Sequence, residues 1–186
     1  MPLKEIAINK IFSIATGNSK KRVLLTPVLG ITFIIATSLF IIIPLFLEKL
    51  LGIPKLWEAP LNYILCMPFI SVGLALMAWS ILYDIEANGT PIPINPPSKL
   101  ITTGPFAYSR NPMHGGLFLL LFGFGIYYSS LLAVLIFIPL YIFIDIIFIK
   151  KIEEPELQKR LGNDYIEYKQ RTPMLLPWRL KKWDDC

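Results

Sequence analysis

Three stretches of the chain carry no Asp, Glu, Lys or Arg at all: Val23 to Leu47, Ala59 to Tyr83 and Met113 to Ile144. The first two run for 25 residues and the third for 32, whereas crossing a bilayer takes about 20 apolar residues. A chain of 186 residues with this pattern has too little polar surface to cover such helices in water, which excludes an ordinary soluble domain. At 54% apolar residues it is also no disordered chain, collagen or secreted disulfide scaffold. Cys66 and Cys186 are the only cysteines; they cannot build a framework, and a reducing or membrane-buried setting is expected for both.

The third stretch is too long for one ordinary span. Tyr127, Tyr128, Ser129 and Ser130 near its middle supply interfacial aromatics and a polar turn, so it reads as a tight helical hairpin. Each arm holds about 18 residues, or about 27 Å at 1.5 Å per residue. The expectation is an all-α, polytopic membrane protein with about four transmembrane helices, near 24–47, 60–83, 113–129 and 131–149. The whole chain then forms one domain. It comprises an N-terminal segment (1–23), two spans (24–83), a loop (84–112), the hairpin (113–149) and a tail (150–186).

An even number of spans puts both termini on one side. On that side fall Lys4, Lys10, Lys20, Lys21 and Arg22, then Lys99 and Arg110, then nine basic residues from Lys150 onward, sixteen of eighteen in all, against Lys49 and Lys55 on the other. The positive-inside rule makes the rich side cytoplasmic, and the net charge of +5 suits attraction to anionic lipid. No basic stripe is interleaved with aromatics, so nucleic acid is not an expected partner. The first apolar run is too long for a signal-peptide core and no small-residue cleavage site follows it, so the first span should remain as an anchor. Ile6 to Ala15 can form a short interfacial helix before it. Without a KDEL-like retention signal and with a short N-terminal segment, the expected location is a prokaryotic plasma membrane.

Polar chemistry is confined to the loop and the tail. The loop holds Pro91, Pro93, Pro96, Pro97, Pro105 and Pro112, which excludes a helix or the interior of a sheet. A long, stiff connection in so small a protein reads as a lid or binding loop. It ends in Arg110, Asn111, Pro112, Met113 and His114, and ionisable groups at the edge of a span are costly unless paired or facing a polar cavity. Gly115 and Gly116 read as close-packing residues of a membrane helix. Asp145 lies within the fourth span, with Arg110 or a lysine at the cytoplasmic end as its expected partner. Pro155 should end or kink the fourth helix and start another, leaving Glu153 and Glu154 at a wet surface where they could offset a helix dipole. Gly162 reads as a helix stop, and Asp164 with Glu167 as a capping pair for 165–171.

Taken in order, these residues resemble a known family. Gly89-Thr90-Pro91 with Pro93, Pro96 and Pro97, then Leu100 to Phe106, then Arg110-Asn111-Pro112-Met113, and in the tail Glu153-Glu154, Gly162, Tyr165, Tyr168, Arg171, Pro173 and Pro177, are similar to the isoprenylcysteine carboxyl methyltransferase and phospholipid methyltransferase family over roughly residues 70–178. The resemblance implies an integral membrane enzyme that uses S-adenosylmethionine without a Rossmann unit, and the chain has no G-x-G-x-x-G run. It further implies that Leu100, Ile101, Phe106, Asn111, Pro112, Met113, His114, Glu153 and Glu154 hold the cofactor, with Arg110, Glu153 and Arg171 as catalytic candidates. The eukaryotic carboxyl methyltransferases have His where Asn111 stands, Tyr where His114 stands, and Arg where Ile149 stands.

The residue types suit that chemistry. S-adenosylmethionine offers a carboxylate to a cation such as Arg110, an ammonium and ribose hydroxyls to the acidic pair, and a flat adenine to Phe106. The expected acceptor is lipidic or prenylated, taken from the bilayer, and of the isoprenylcysteine carboxylate type. A carboxylate needs no general base at neutral pH; a phospholipid amine or a thiol would need one, with His114, Glu153 or Asp145 available. Two other classes compete. A transporter of this size would usually show internal repeats, and none is visible; a sterol-type reductase would need a nicotinamide site. The charge asymmetry yields a direct test. In a cysteine-free background, Lys55→Cys should react with an impermeant maleimide added outside intact cells, whereas Lys99→Cys and Lys159→Cys should not. Reaction at both positions 55 and 99 would refute the four-span topology.

Overall fold

The computed structural model describes residues 3–175, and among them every regular element is helical. Helix α1 (Leu3–Ala15) leads into α2 (Ser19–Leu51), which opens on the side chain of Asn18 accepting from the Lys20 amide at 2.9 Å, a conventional N-cap. Helix α3 (Leu61–Glu86) follows, then the proline-rich loop with one 3₁₀ turn at Gly104–Ala107, then α4 (Pro112–Tyr127). The chain turns back into a continuous helical run, Ala133–Leu161. That run holds α5 (Ile138–Phe148) and α6 (Glu154–Leu161), each preceded by a π-turn, Ala133–Phe137 and Ile149–Glu153. Helix α7 (Asn163–Arg171) ends the regular structure.

Helices α3 and α4 lie antiparallel and nearly touch backbone to backbone. A Cβ on Gly73 would come within 2.7 Å of the Gly116 carbonyl oxygen, and one on Gly116 within 2.8 Å of that of Gly73. Small residues at such a crossing let dispersion and backbone contacts replace the hydrophobic drive that lipid removes. Helix α2 packs against the last long helix through Tyr141, whose hydroxyl lies 3.3 Å from Thr37 Oγ1 and whose ring meets Phe40 edge-on. Leu117, Phe118, Leu121 and Ile138 complete the buried centre.

The hairpin turn lies at the expected tyrosines and serines. Ser129 takes a positive φ of 57°, and Ser130 Oγ accepts from the Ala133 amide at 3.1 Å. The carboxylate of Glu48, reaching over from α2, accepts from the Leu132 amide at 2.7 Å, and Asn62 Nδ2 donates to the Tyr127 carbonyl at 2.8 Å. Both acts satisfy helix-end groups that a bilayer would leave bare. At the opposite end of the bundle α1 meets α6, with Lys159 Nζ donating to Asn9 Oδ1 at 2.8 Å.

Three helices are long and apolar enough to cross a membrane: Ser19–Leu51, Leu61–Glu86 and Ala133–Leu161. Helix α4 has 16 residues, about 24 Å by its rise, and is shorter than the expected arm. Outward faces are apolar, with Ile34 63% and Leu135 63% exposed, as lipid-facing helices require. Two expectations need correction. Pro155 does open α6, in its first turn, but without ending the helical run: the preceding turn widens so that the Glu154 amide bonds to the Ile149 carbonyl, which accommodates a ring that lacks an N–H and clashes with a regular turn. Asp164 and Glu167 form no capping pair, since α7 starts at Asn163 after Gly162 with no side-chain cap; Gly162 does end α6, at φ 64°.

The crossing distinguishes two adjacent glycines. Gly116→Ala forces the two backbones apart and should cost about 1–3 kcal/mol, lowering the melting temperature in detergent. A Cβ on Gly115 meets nothing closer than Leu76 at 3.8 Å, so Gly115→Ala should leave stability unchanged or raise it by up to about 1 kcal/mol through helix propensity. Equal effects of the two would show that the close approach is not what holds α3 to α4.

Candidate active site

The cavity of interest lies at the end of the bundle shared by the proline-rich loop, the start of α4 and the last turns of the long helix. Its shape follows from how the loop is tied down. Gly104 sits at φ 58°, where a Cβ would run into the Tyr83 ring, so only glycine lets the loop fold against α3 there. Tyr168 of α7 donates to the Phe106 carbonyl at 2.7 Å. Arg160 reaches the Pro97 carbonyl at 3.3 Å and holds Glu156 at 3.1 Å, one helical turn away. The chain beyond α7 then runs back along the entrance to α4: the Arg110 amide donates to the Pro173 carbonyl at 2.9 Å and the Asn111 amide to that of Met174 at 3.2 Å.

Of the residues expected at the site, Leu100, Ile101, Phe106, Arg110, Asn111, Pro112, Met113, His114 and Glu153 line this one cavity. Glu154 is behind the wall, buried, holding Arg110 at 2.9 Å and Lys169 at 2.6 Å. Arg171 is on the exposed last turn of α7 and is not a lining residue. Pro177, with Arg179, Lys181 and Lys182 of the basic tally, lies outside the described residues. The acidic pair is therefore not the expected wet pair: successive residues on a helix point about 100° apart, so Glu153 faces the cavity while Glu154 faces Arg110 of the loop and Lys169 of α7. Asp145 also has a different partner from the one expected. Its Oδ2 lies 2.7 Å from Nδ1 of His114, because Arg110 is drawn to Glu154 instead.

Among the described residues, six buried side-chain polar atoms have no hydrogen-bond partner, and four of them belong to this cluster: Nε and Nη1 of Arg110, Oε2 of Glu153 and Oε1 of Glu154. The Arg110–Glu154 contact supplies charge balance without hydrogen-bond alignment. Buried donors and acceptors are almost always paired, so an unsatisfied guanidinium edge and an unsatisfied carboxylate oxygen in one cavity fit a ligand carrying both an anionic and a cationic group. Apolar walls of proline, Leu100, Ile101 and Phe106 surround them. Burial pushes the Tyr165 and Tyr168 phenols up from their ordinary value, so both remain neutral, and Tyr168 remains a hydrogen-bond donor.

The family model of phospholipid methyltransferases matches residues 61–164. The chain belongs to that family. The match spans α3, the loop, the hairpin and α6, and so contains nearly every lining residue, while Tyr165, Tyr168 and Arg171 fall beyond it. Methyl transfer is the chemistry of the family, and the apolar helices fit a transmembrane protein. No curated protein matches the chain significantly. Other lining residues were not picked out as site residues from the sequence: Asp84, Glu156, Arg160, Tyr165 and Tyr168. Asp84 carried a signal, being the acid that closes an apolar run, and Glu156 with Arg160 had helical pairing distance. The tyrosines had no chemical signal of their own.

The adjacent glutamates should respond oppositely to mutation. Glu154→Ala leaves Arg110 buried without its counter-charge and should destabilise the protein by about 3–5 kcal/mol, visible as a large fall in melting temperature. Glu153→Gln removes a desolvated charge that has no protein partner at one oxygen, and should leave the ligand-free protein as stable or more so. Equal destabilisation by both would contradict the division of roles.

Proposed function

We propose that the chain is an integral membrane methyltransferase that takes its methyl group from S-adenosylmethionine and passes it to a lipidic or otherwise hydrophobic acceptor reaching the cavity from the bilayer. The observation that carries this reading is that Arg110 and Glu153, both on the cavity wall of a methyltransferase-family chain, each carry buried polar atoms without a hydrogen-bond partner. Arg110 would hold the cofactor's carboxylate and Glu153 its ammonium or ribose hydroxyls, with Phe106, Leu100 and Ile101 against the adenine. Asn111, Pro112 and Met113 form the adjoining wall. When bound, the sulfonium supplies an activated methyl group. The protein's part is to orient the partners and exclude water, a task suited to a cavity whose loop is hydrogen-bonded to α6 and α7.

The same reading includes four crossings, cytoplasmic termini and a cytoplasmic site. It is supported by the sixteen-to-two division of basic residues and by the contact of α1 with α6, which brings the N-terminal helix to the loop-and-tail end. A carboxylate acceptor, as the resemblance implies, would call for a free cation. Arg171 is not on the wall, Arg110 is assigned to the cofactor in this reading, Arg160 is held by Glu156, Ile149 is fully buried, and Lys99, the other cation on the wall, is exposed. These placements give less support to a carboxylate than to an acceptor that sheds a proton.

Purified protein should bind S-adenosylhomocysteine in calorimetry and should not bind NADPH. Glu153→Ala removes a charged hydrogen-bond partner worth about 1.5–3 kcal/mol, so affinity should fall about 10- to 150-fold. Absence of S-adenosylhomocysteine binding, or preference for NADPH, would overturn the proposal.

A further inference from the structure

The His114–Asp145 contact has no part in holding the cofactor in the proposed reading, yet at 2.7 Å it is a short polar contact between α4 and α5. His114 is the single histidine of the chain. It lines the cavity on the first turn of α4, one turn after Arg110. Its Nδ1 lies 2.7 Å from Oδ2 of Asp145 on α5, a carboxylate buried to 8% exposure. The ring is also braced by the edge of Phe118, centroids 6.4 Å apart. A carboxylate accepting from Nδ1 fixes the tautomer in which Nδ1 carries the proton and Nε2 presents a lone pair. No hydrogen bond to Nε2 occurs among the described residues. A histidine oriented by an acid on one nitrogen and open on the other is the arrangement of a general base.

We infer that His114, positioned by Asp145, accepts the proton released by the methyl acceptor, and that the acceptor is accordingly a nucleophile bearing an N–H or S–H rather than a carboxylate. The inference rests on the methyltransferase reading and deepens it. Transfer replaces the acceptor's hydrogen by a methyl group: the acceptor's electron pair forms the new bond to carbon, the donor leaves as a neutral thioether, and the displaced proton goes to Nε2. The imidazolium so formed faces the Asp145 carboxylate, which stabilises it. Glu153 from the π-turn also acts on the ring, and Asp84, Glu156, Lys99, Arg110 and Arg160 are the other charged groups on the cavity wall. The two acids that act on the ring, Asp145 and Glu153, favour a transient positive charge there. Asp145 acts through His114 and is a positioning residue.

A single histidine makes the tautomer directly readable. In protein labelled with ¹⁵N-histidine and held in nanodiscs, the neutral ring of the free enzyme, reached by raising the pH until the ¹⁵N shifts no longer change, should show a protonated Nδ1 and a bare Nε2. Asp145→Asn should abolish that preference. A protonated Nε2 in the wild type, or an unchanged tautomer in the variant, would overturn the inference without touching the cofactor reading. Turnover provides the second arm, using tritiated S-adenosylmethionine with three probes: phosphatidylethanolamine vesicles, dodecanethiol and N-acetyl-S-farnesylcysteine. On an amine or thiol probe, His114→Gln should lower kcat about 10²- to 10⁴-fold with S-adenosylhomocysteine affinity unchanged, and Asp145→Asn should move the acidic limb of the kcat profile. Methylation of the farnesylcysteine carboxylate alone, undiminished in His114→Gln, would overturn the inference and leave the methyltransferase standing. Failure of the wild type to bind S-adenosylhomocysteine would remove both. Should none of the probes turn over while binding persists, the tautomer decides.

Discussion

Arg110 and Glu154 meet at 2.9 Å with side chains only 10% and 5% exposed, and this pair joins the two polar segments of an otherwise apolar chain. One partner ends the proline-rich loop, and the other opens α6. Bringing both out of water is costly, and the cost is tolerable only because Lys169 adds a second cation on Glu154 at 2.6 Å and because the site is at the end of the bundle. Glu154 therefore serves two cations, which leaves Arg110 with unused donors. The site follows from that surplus. A fully satisfied arginine would be a strut only, whereas one with bare Nε and Nη1 suits the receptor role proposed for it.

The tail ties this joint down from outside the cavity. Pro173 and Met174 accept from the amides of Arg110 and Asn111, and Asn111 Nδ2 and Ser109 Oγ both reach the Met174 carbonyl at 3.1 Å. Such bonds satisfy the amides just before α4 that have no partner within the helix. They also fix where Arg110 leaves the backbone. A residue expected to touch the cofactor, Asn111, thus has a side chain already committed to the tail, and its contribution is to the shape of the wall.

Much of this was legible in the sequence because its signals are one-dimensional. Charge-free runs revealed the long helices, and Tyr127 to Ser130 revealed the hairpin turn. Prolines revealed the loop. Spatial pairing was not legible. Asp145 and Arg110 looked like partners because each lacked one, but nothing in their spacing fixes the rotation of α5 against α4, and the structure gives Asp145 to His114. Adjacency in the sequence presents the acidic pair as a unit, although neighbours on a helix do not share a face. The tail's contacts with the loop run through main-chain carbonyls, which leave no mark on residue type.

The π-turn before Pro155 links the fold to the chemistry proposed for it. Asp145 and Glu153 are eight residues apart, a separation that a regular α-helix places about 80° apart around its axis. The wider turn at Ile149–Glu153 advances each residue through a smaller angle and so swings Glu153 back toward the side that Asp145 occupies. Both acids then act on His114 across the interface with α4. Proline is what makes the wide turn favourable, since an α-turn there would set a ring against a carbonyl and leave an acceptor unpaired. A residue whose usual effect is to stop a helix here continues it with a changed phase. That phase aims Glu153 at the cavity and lets its neighbour Glu154 bind Arg110 from behind the wall.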